Sequence, residues 1–333
     1  METLPDQFKG ALARIELTEK RERVVAAQEE IRHCLEEDEQ LCTWGVATVL
    51  IGSYARHTAI YPGKDVDVFT KLTKLDTSAD PNAVFEAVLR VLVAKYGNQA
   101  EAQARSIKVT FPIDGEEDFA VDVVPAVRMG TRWAIPRRDR DLWKSPDAGE
   151  RWRETDPEKL TALTVELNSK LKVDGQGAYV PIVKLVRQTR RHHRDDRKPG
   201  GFYFELMTYW TFVADVKGDS FAELLAATLR SLATQLENST PLTDPVLDKP
   251  YKPEPDPDDR AEAAAVFEDL ASKAELALTV ARCPAAALWR EILGENERGP
   301  CFPLPPGCDE KGNAIKNVAA VAAVGSEEAS GFA

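Results

Sequence analysis

The apolar positions of this chain change period about halfway along it. Over residues 6–42, Phe8, Leu12, Ile15, Val24, Ile31 and Leu35 form an apolar stripe at helical spacing among many charges. The pattern predicts one long helix bracing a side of the molecule. "ATVLIGS" (47–53) then reads as a buried strand ending in a Gly-Ser turn, and "DVDVFTKL" (65–72) as a strand of alternating character. "PNAVFEAVLRVLVAKYG" (81–97) predicts an amphipathic helix stopped by Gly97. Two β-rich runs follow, "ARSIKVTFPID" (104–114) and "EEDFAVDVVPAV" (116–127), and Asp114-Gly115 between them suggests a hairpin.

From about residue 155 the pattern becomes helical, with predicted helices over 157–171, 179–194, 202–216, 219–237 and 258–281. Between the last two, "PLTDPVLDKPYKPEPDPDD" (241–259) has too much proline for a helix and predicts an extended surface connection. The final "NVAAVAAVGSEEASGFA" offers few anchoring side chains and predicts a flexible tail. The expected fold class is therefore α+β: a mixed core over 1–155, a helical domain over 156–312 and a tail over 313–333.

Composition narrows the class. A chain of 333 residues with 43% hydrophobic content has ample material for a core. No apolar run approaches the roughly 20 residues a bilayer span needs, and the first residues lack the order of a secretory signal, so a cytoplasmic protein without membrane contact is expected. The five cysteines, Cys34, Cys42, Cys283, Cys301 and Cys308, are odd in number and form no C-x-x-C pair, which predicts reduced thiols. None of the four histidines has zinc spacing. A formal charge of -12 works against broad attraction to DNA or RNA, so no obligatory DNA partner is expected, but a small nucleotide held by metal and local cations remains compatible.

The chemistry concentrates in "IGSYARHTAIYPGKDVDVFTKL" (51–72). Residues two apart on a strand share a face, so Asp65 and Asp67 are expected to project together while Val66 and Val68 enter the opposite layer. Converging carboxylates repel unless they hold a cation. Asp122, in "AVDVVP", supplies a third carboxylate on a later predicted strand. Three carboxylates without histidine suit a hard ion, Mg²⁺ with Mn²⁺ as the alternative, rather than Zn²⁺. Three aspartates carry about -3 and a nucleoside triphosphate about -4 against about +4 from two Mg²⁺, so local donors are needed as well. Gly52 and Ser53 are candidates, because glycine permits close approach and the turn offers N–H groups and a hydroxyl. Taken singly, a Gly-Ser pair is usually only a turn and D-V-D only a strand edge; the conjunction carries the reading.

The pattern apolar-Gly-Ser, eleven residues, Asp-apolar-Asp resembles the signature of the DNA polymerase β-like nucleotidyltransferase superfamily, with Asp122 matching its third carboxylate. "GSYARHTAIYPGKDVDVF" together with "VDVVPAV" is similar to the bacterial cGAS/DncV-like nucleotidyltransferases (CD-NTases), relatives of oligoadenylate synthetase that make cyclic oligonucleotide signals in anti-phage (CBASS-type) defence. The likeness is strong over 50–127 and weaker over 157–280. It implies a bilobal fold in which the polymerase β-like core and its long N-terminal brace helix pair with a helical domain. It implies catalysis by Asp65, Asp67 and Asp122 with two Mg²⁺ ions, nucleotide contacts from Gly52 and Ser53, and NTP substrates including ATP. A downstream effector activated by the cyclic nucleotide is implied too, and the terminal Gly331-Phe332-Ala333 would be open to a ubiquitin-ligase-like partner.

In "YVPIVKLVRQTRRHHRDDRK" (179–198), Lys184, Arg187, Arg191 and Arg194 share a helix face. The plain reading is a solvated helix end for Arg190 to Lys198. Lys184 lies among apolar residues and matches the family lysine that reaches the triphosphate. Phe202, Tyr203 and Phe204 read as core. In the family a serine often precedes this aromatic; Gly200 and Gly201 stand there instead, which leaves a hydroxyl contact in doubt. Tyr54 and Arg56 lie near the phosphate turn, and Asn168 and Tyr179 are candidates for a base pocket. Two further readings keep the fold. One is a linear nucleotidyltransferase acting on a tRNA or small-molecule acceptor. The other is a nucleotide-sensing module, which the presence of all three aspartates disfavours.

Overall fold

A computed structural model describes residues 2–17, 21–63, 65–112, 119–239 and 241–315, the side chains of 21–23 and 65 excepted. Helices α1 (Pro5–Ile15), α2 (Arg21–Glu36) and α3 (Glu39–Thr43) lead into strand β1 (Val46–Ile51), the one-turn helix α4 (Gly52–Ala55) and strand β2 (Asp65–Asp76). Helix α5 (Pro81–Tyr96), strands β3 (Ala100–Ala102), β4 (Ile107–Phe111), β5 (Phe119–Met129) and β6 (Arg132–Pro136), the short helix α6 (Ala148–Arg151) and strand β7 (Trp152–Thr155) complete the first half. Helix α7 (Pro157–Lys170), the two-residue strands β8 (Lys172–Val173) and β9 (Gln176–Gly177), and helices α8 (Tyr179–Arg194), α9 (Gly201–Val213) and α10 (Phe221–Glu237) follow. Last come the small strands β10 (Thr243–Asp244) and β11 (Lys249–Pro250), then α11 (Pro257–Ala277) and α12 (Arg282–Leu293).

The sheet runs β1-β2-β5-β4-β3, with β6 on β5 and β7 on β6; β2 and β5 are parallel, and the other pairings antiparallel. Alternation fixes its register. Val66 and Val68 enter a core shared with α2 and α5, whereas Phe69 packs on the opposite face with Ala126, Trp133 and Ile135. A slip of one residue would exchange these faces, burying the aspartate face and exposing the valines. Antiparallel pairing of Phe111 with Phe119 agrees with the expected hairpin, whose turn lies outside the described residues.

The expected single brace helix is instead broken. Helix α1 stops at Ile15, Glu16 is extended (φ -72°, ψ 146°), and its carboxylate pairs with Lys184 on α8. A tertiary ion pair and the burial of Phe8 against Trp289 and Phe302, at centroid distances of 5.0 and 5.1 Å, override the local helical pattern. Helix α1 thus packs in the second core with the later helices, while α2 packs in the sheet core.

Asp-Pro pairs begin α5, α7 and α11, the aspartate accepting a first-turn N–H and the proline occupying N1. The predicted helix over 258–281 closes at Ala277, and α12 is an additional element. Three other expectations are corrected. Cys283 and Cys308 are joined in a disulfide, leaving Cys34, Cys42 and Cys301 as free thiols. The segment after Leu293 folds back on α12 and brings together two cysteines 25 residues apart, a meeting that no sequence spacing announces. The proline-rich segment is not merely a surface connection, because its β10–β11 hairpin forms one wall of a cleft. Arg194 is 2% exposed rather than solvated, donating to the carbonyls of Lys198 and Asp259. Among the described residues no helix is long and apolar enough to cross a membrane. Gly331-Phe332-Ala333 lies outside them.

Candidate active site

A cleft of about 820 Å³ lies between the sheet and the helices, lined among others by Gly52, Ser53, Asp67, Arg56 and Arg187. Asp67 and Asp122 are directly opposite each other in the parallel β2–β5 pair, so both half-buried side chains leave the same face at neighbouring positions. Asp65 opens β2 two residues earlier, in register with Ala120.

Gly52 follows β1 and opens α4 with φ +73°, a left-handed conformation that glycine adopts freely. An added Cβ would lie 1.9 Å from Asp67 Oδ2. The Gly-Ser turn and the carboxylate are therefore packed backbone to side chain. The Ser53 carbonyl secures the turn by accepting from Thr58 N at 2.8 Å and Ala59 N at 3.1 Å. Gly52→Ala is expected to cost about 1–2 kcal/mol from the left-handed backbone alone and to displace Asp67. Thermal melting should therefore show a modest loss of stability and a crystal structure of the variant a displaced Asp67; an unmoved carboxylate would show that the close approach is irrelevant.

Beneath the turn, Glu205 of α9 is buried between two arginines. It accepts from Arg56 Nε at 2.6 Å and Arg187 Nη1 at 3.1 Å, with Thr58 Oγ1 3.3 Å from both carboxylate oxygens. Burial alone would raise its carboxyl pKa, but attraction to Arg56 and Arg187 and their hydrogen bonds hold it below the ordinary glutamate value. Two guanidiniums and one carboxylate leave a net positive cluster on the cleft floor. Phe202 lies under Arg56, 5.4 Å from its guanidinium carbon, and lines the cleft; Tyr203 also borders it, whereas Phe204 stacks in the core on Phe267. Core placement thus holds for Tyr203 and Phe204, while Phe202 is only partly buried against that core and also faces the cleft.

Other expected residues lie elsewhere. Lys184 is buried on Glu16 and does not line the cleft; Arg187, one turn on, does. Asn168 accepts from Val180 N at 2.9 Å, and Tyr179 packs on Phe212, so neither forms a base pocket here. Glu205, Arg105, Arg138 and Arg153 escaped the sequence reading.

The donor chemistry fits a hard divalent cation. Asp67 lines the cleft while Asp122, its strand partner, does not; among the described residues no cysteine or histidine lines it, and Gly52 leaves the space that the Asp67 carboxylate occupies. Among the described residues no three Asp, Glu, His or Cys side chains gather as a metal group.

Paired aspartates thus stand at neighbouring positions on adjacent parallel strands, Asp67 packed against the Gly-Ser turn and sharing its cleft with the cationic floor. Residues 1–168 match the model of the Second Messenger Oligonucleotide or Dinucleotide Synthetase (SMODS) domain, and the chain belongs to that family. Over 192 residues it is 30% identical to a cyclic AMP-AMP-AMP synthase of an Acinetobacter species, covering 55% of this chain and 50% of that protein. The chain thus spans about half the length of this curated relative. Its fold resembles that of E. coli MS115-1 CdnC with ATP, at TM-score 0.67 and 16% identity over 91% of this chain and 100% of that one. Bradyrhizobium diazoefficiens CdnG in complex with GTP is similar at TM-score 0.64 and 15% identity, over 83% and 92% of the two chains.

Proposed function

We propose that this protein joins nucleoside triphosphates, ATP among them, into a cyclic di- or trinucleotide second messenger for CBASS-type defence, releasing pyrophosphate. The observation that carries the reading is the register of Asp67 against Asp122 at the Gly52-Ser53 turn, in a chain of a second-messenger synthetase family. A hydroxyl of one nucleotide attacks the α-phosphorus of another; the P–O bond to pyrophosphate breaks, and the hydroxyl proton leaves.

Asp65, Asp67 and Asp122 would hold two Mg²⁺ ions, or Mn²⁺, which supply charge neutralisation and a more acidic attacking hydroxyl. Asp122 orients that hydroxyl. Gly52 and Ser53 present N–H groups and a hydroxyl to the triphosphate, and the net positive Arg56–Glu205–Arg187 cluster favours its charge. Most of the rate enhancement on this reading comes from positioning and preorganised charge. The product would act on an effector that binds cyclic nucleotides, in the cytoplasm.

Incubation of the purified chain with all four NTPs and Mg²⁺, followed by phosphatase treatment and mass spectrometry, tests the reading. Phosphatase-resistant oligonucleotides are the expected result. Product that forms only after a tRNA or small-molecule acceptor is added would favour the linear transferase instead.

A further inference from the structure

The loop that joins the Gly-Ser turn to the aspartate strand, residues 56–63, is held by parts of the chain far from it in sequence. Its Ile60 is 1% exposed and belongs to the core of the helical half, with residues of α1, α8 and α9, rather than to the sheet core. Tyr61 N donates to the Ile15 carbonyl at 2.8 Å, and Arg191 of α8 donates to the Tyr61 carbonyl. A further hold comes from beyond α12. Strands β12 (Glu295–Asn296) and β13 (Gly299–Pro300) form a small antiparallel hairpin, and its two tip residues, Glu297 and Arg298, both meet Tyr61. The Tyr61 hydroxyl donates to Glu297 Oε2 at 3.0 Å, and the Arg298 guanidinium carbon lies 3.7 Å from the ring centroid. Burial and then the Glu297 hydrogen bond push the hydroxyl pKa above its ordinary value, so it stays a donor. Arg298 is fixed in turn, because its Nη1 donates to the Glu16 carbonyl at 2.9 Å and its backbone N–H to Asn296 Oδ1 at 2.8 Å. Gln188 of α8 anchors the hairpin base, its Nε2 donating to the carbonyls of Leu293 and Glu295 at 3.0 and 3.2 Å. Both sides of the contact are thus ordered by other bonds, and the cation–π pair carries little further entropy cost.

We propose that Glu297 and Arg298 are positioning residues for nucleotidyl transfer: they hold Tyr61, and through the 56–63 loop they set the separation of Gly52 and Ser53 from Asp65 and Asp67. The loop leaves the Gly-Ser turn at one end and leads into β2 at the other, so a shift of its middle displaces one of these elements relative to the other. A displacement on the order of 1 Å can cost about 100-fold in rate, which is how a contact remote from the cleft reaches the chemistry. Neither Tyr61 nor either tip residue lines the cleft, so none of the three acts by touching substrate. The positioning role rests on the nucleotidyltransferase reading; the latch on the loop does not.

The test uses the full chain with Tyr61→Leu, Arg298→Ala and their combination, and with Tyr61→Phe as the conservative variant. Backbone hydrogen exchange read by mass spectrometry is the first arm. Tyr61→Leu and Arg298→Ala should each raise exchange across residues 58–63 by roughly 3- to 10-fold, the scale of one cation–π contact, while the fold as a whole stays protected. Unchanged exchange overturns the latch and the proposal with it. In the second arm, synthesis from the NTP mixture with Mg²⁺ gives kcat and the KM for ATP. Each of the two single variants is expected to lower kcat by roughly 3- to 10-fold with little change in KM, and the combination to be no worse than the worse single variant. Tyr61→Phe keeps the ring under Arg298 and should retain most of the wild-type kcat. Faster exchange with kcat unchanged, or with KM alone raised, leaves a structural contact only and rejects positioning. If the wild type joins no nucleotides at all, the nucleotidyltransferase reading fails and the positioning role with it, whereas the exchange arm still decides whether the hairpin tip holds the loop.

Discussion

Replacing Asp65 and Asp67 together by alanine is expected to abolish nucleotide joining in a chain that still folds. On the proposed mechanism the lost carboxylates remove a metal-held charge stabilisation of several kcal/mol. At 1.36 kcal/mol per decade, that corresponds to a fall of about 10³-fold or more in turnover. Folding should survive, because the apolar partners of this strand, Val66 and Val68, stay buried on the other face. Removing two like charges also relieves repulsion. Product synthesis from the NTP mixture and a thermal melt, run on the same preparation, check both halves. Substantial product from the soluble double variant would remove the carboxylates from the chemistry.

The second large effect is on stability. Glu205→Gln is expected to destabilise the protein by about 3–5 kcal/mol, the range for a buried ion pair that loses one partner, because Arg56 and Arg187 would then face each other without a counter-charge. The pH dependence carries a definite sign. Glu205 titrates below its ordinary value of 4.5 in the folded protein, so its contribution is fully present above that value and fades as pH falls through the lowered one. Thermal melts of the wild type should therefore lose stability in this acid range, and the glutamine variant should lack that part of the loss. Identical acid profiles for the two proteins would show that the Glu205 charge is not what the arginines require.

The carboxylate pair was legible because its logic is local. A strand period of two and an apolar alternation place Asp67 on one face, and a second alternating run places Asp122 on another strand. Which strands adjoin was supplied by the family resemblance, not by the pattern. The helical period likewise grouped Lys184 with Arg187, Arg191 and Arg194, but it could not say what covers each turn. Glu16 covers Lys184, Glu205 meets Arg187 and the Tyr61 carbonyl meets Arg191, so only one of the four lines the cleft. Arg105, Arg138 and Arg153 lie in unrelated stretches, and the cleft they share with the hairpin of the proline-rich segment is set by sheet order and tertiary folding rather than by local pattern. Composition alone identified that segment only as non-helical. The break after Ile15 was similarly hidden, since its cause is a partner some 170 residues away.

That break determines how the molecule can be dissected. Because Phe8 is wedged between Trp289 and Phe302, a fragment cut at residue 156 would carry the later helices without their plug, and the complementary fragment would display a greasy helix with nothing to sit on. The chain's opening segment works as a clasp between the two cores, so a workable two-piece version of this protein must supply residues 2–16 to the C-terminal piece.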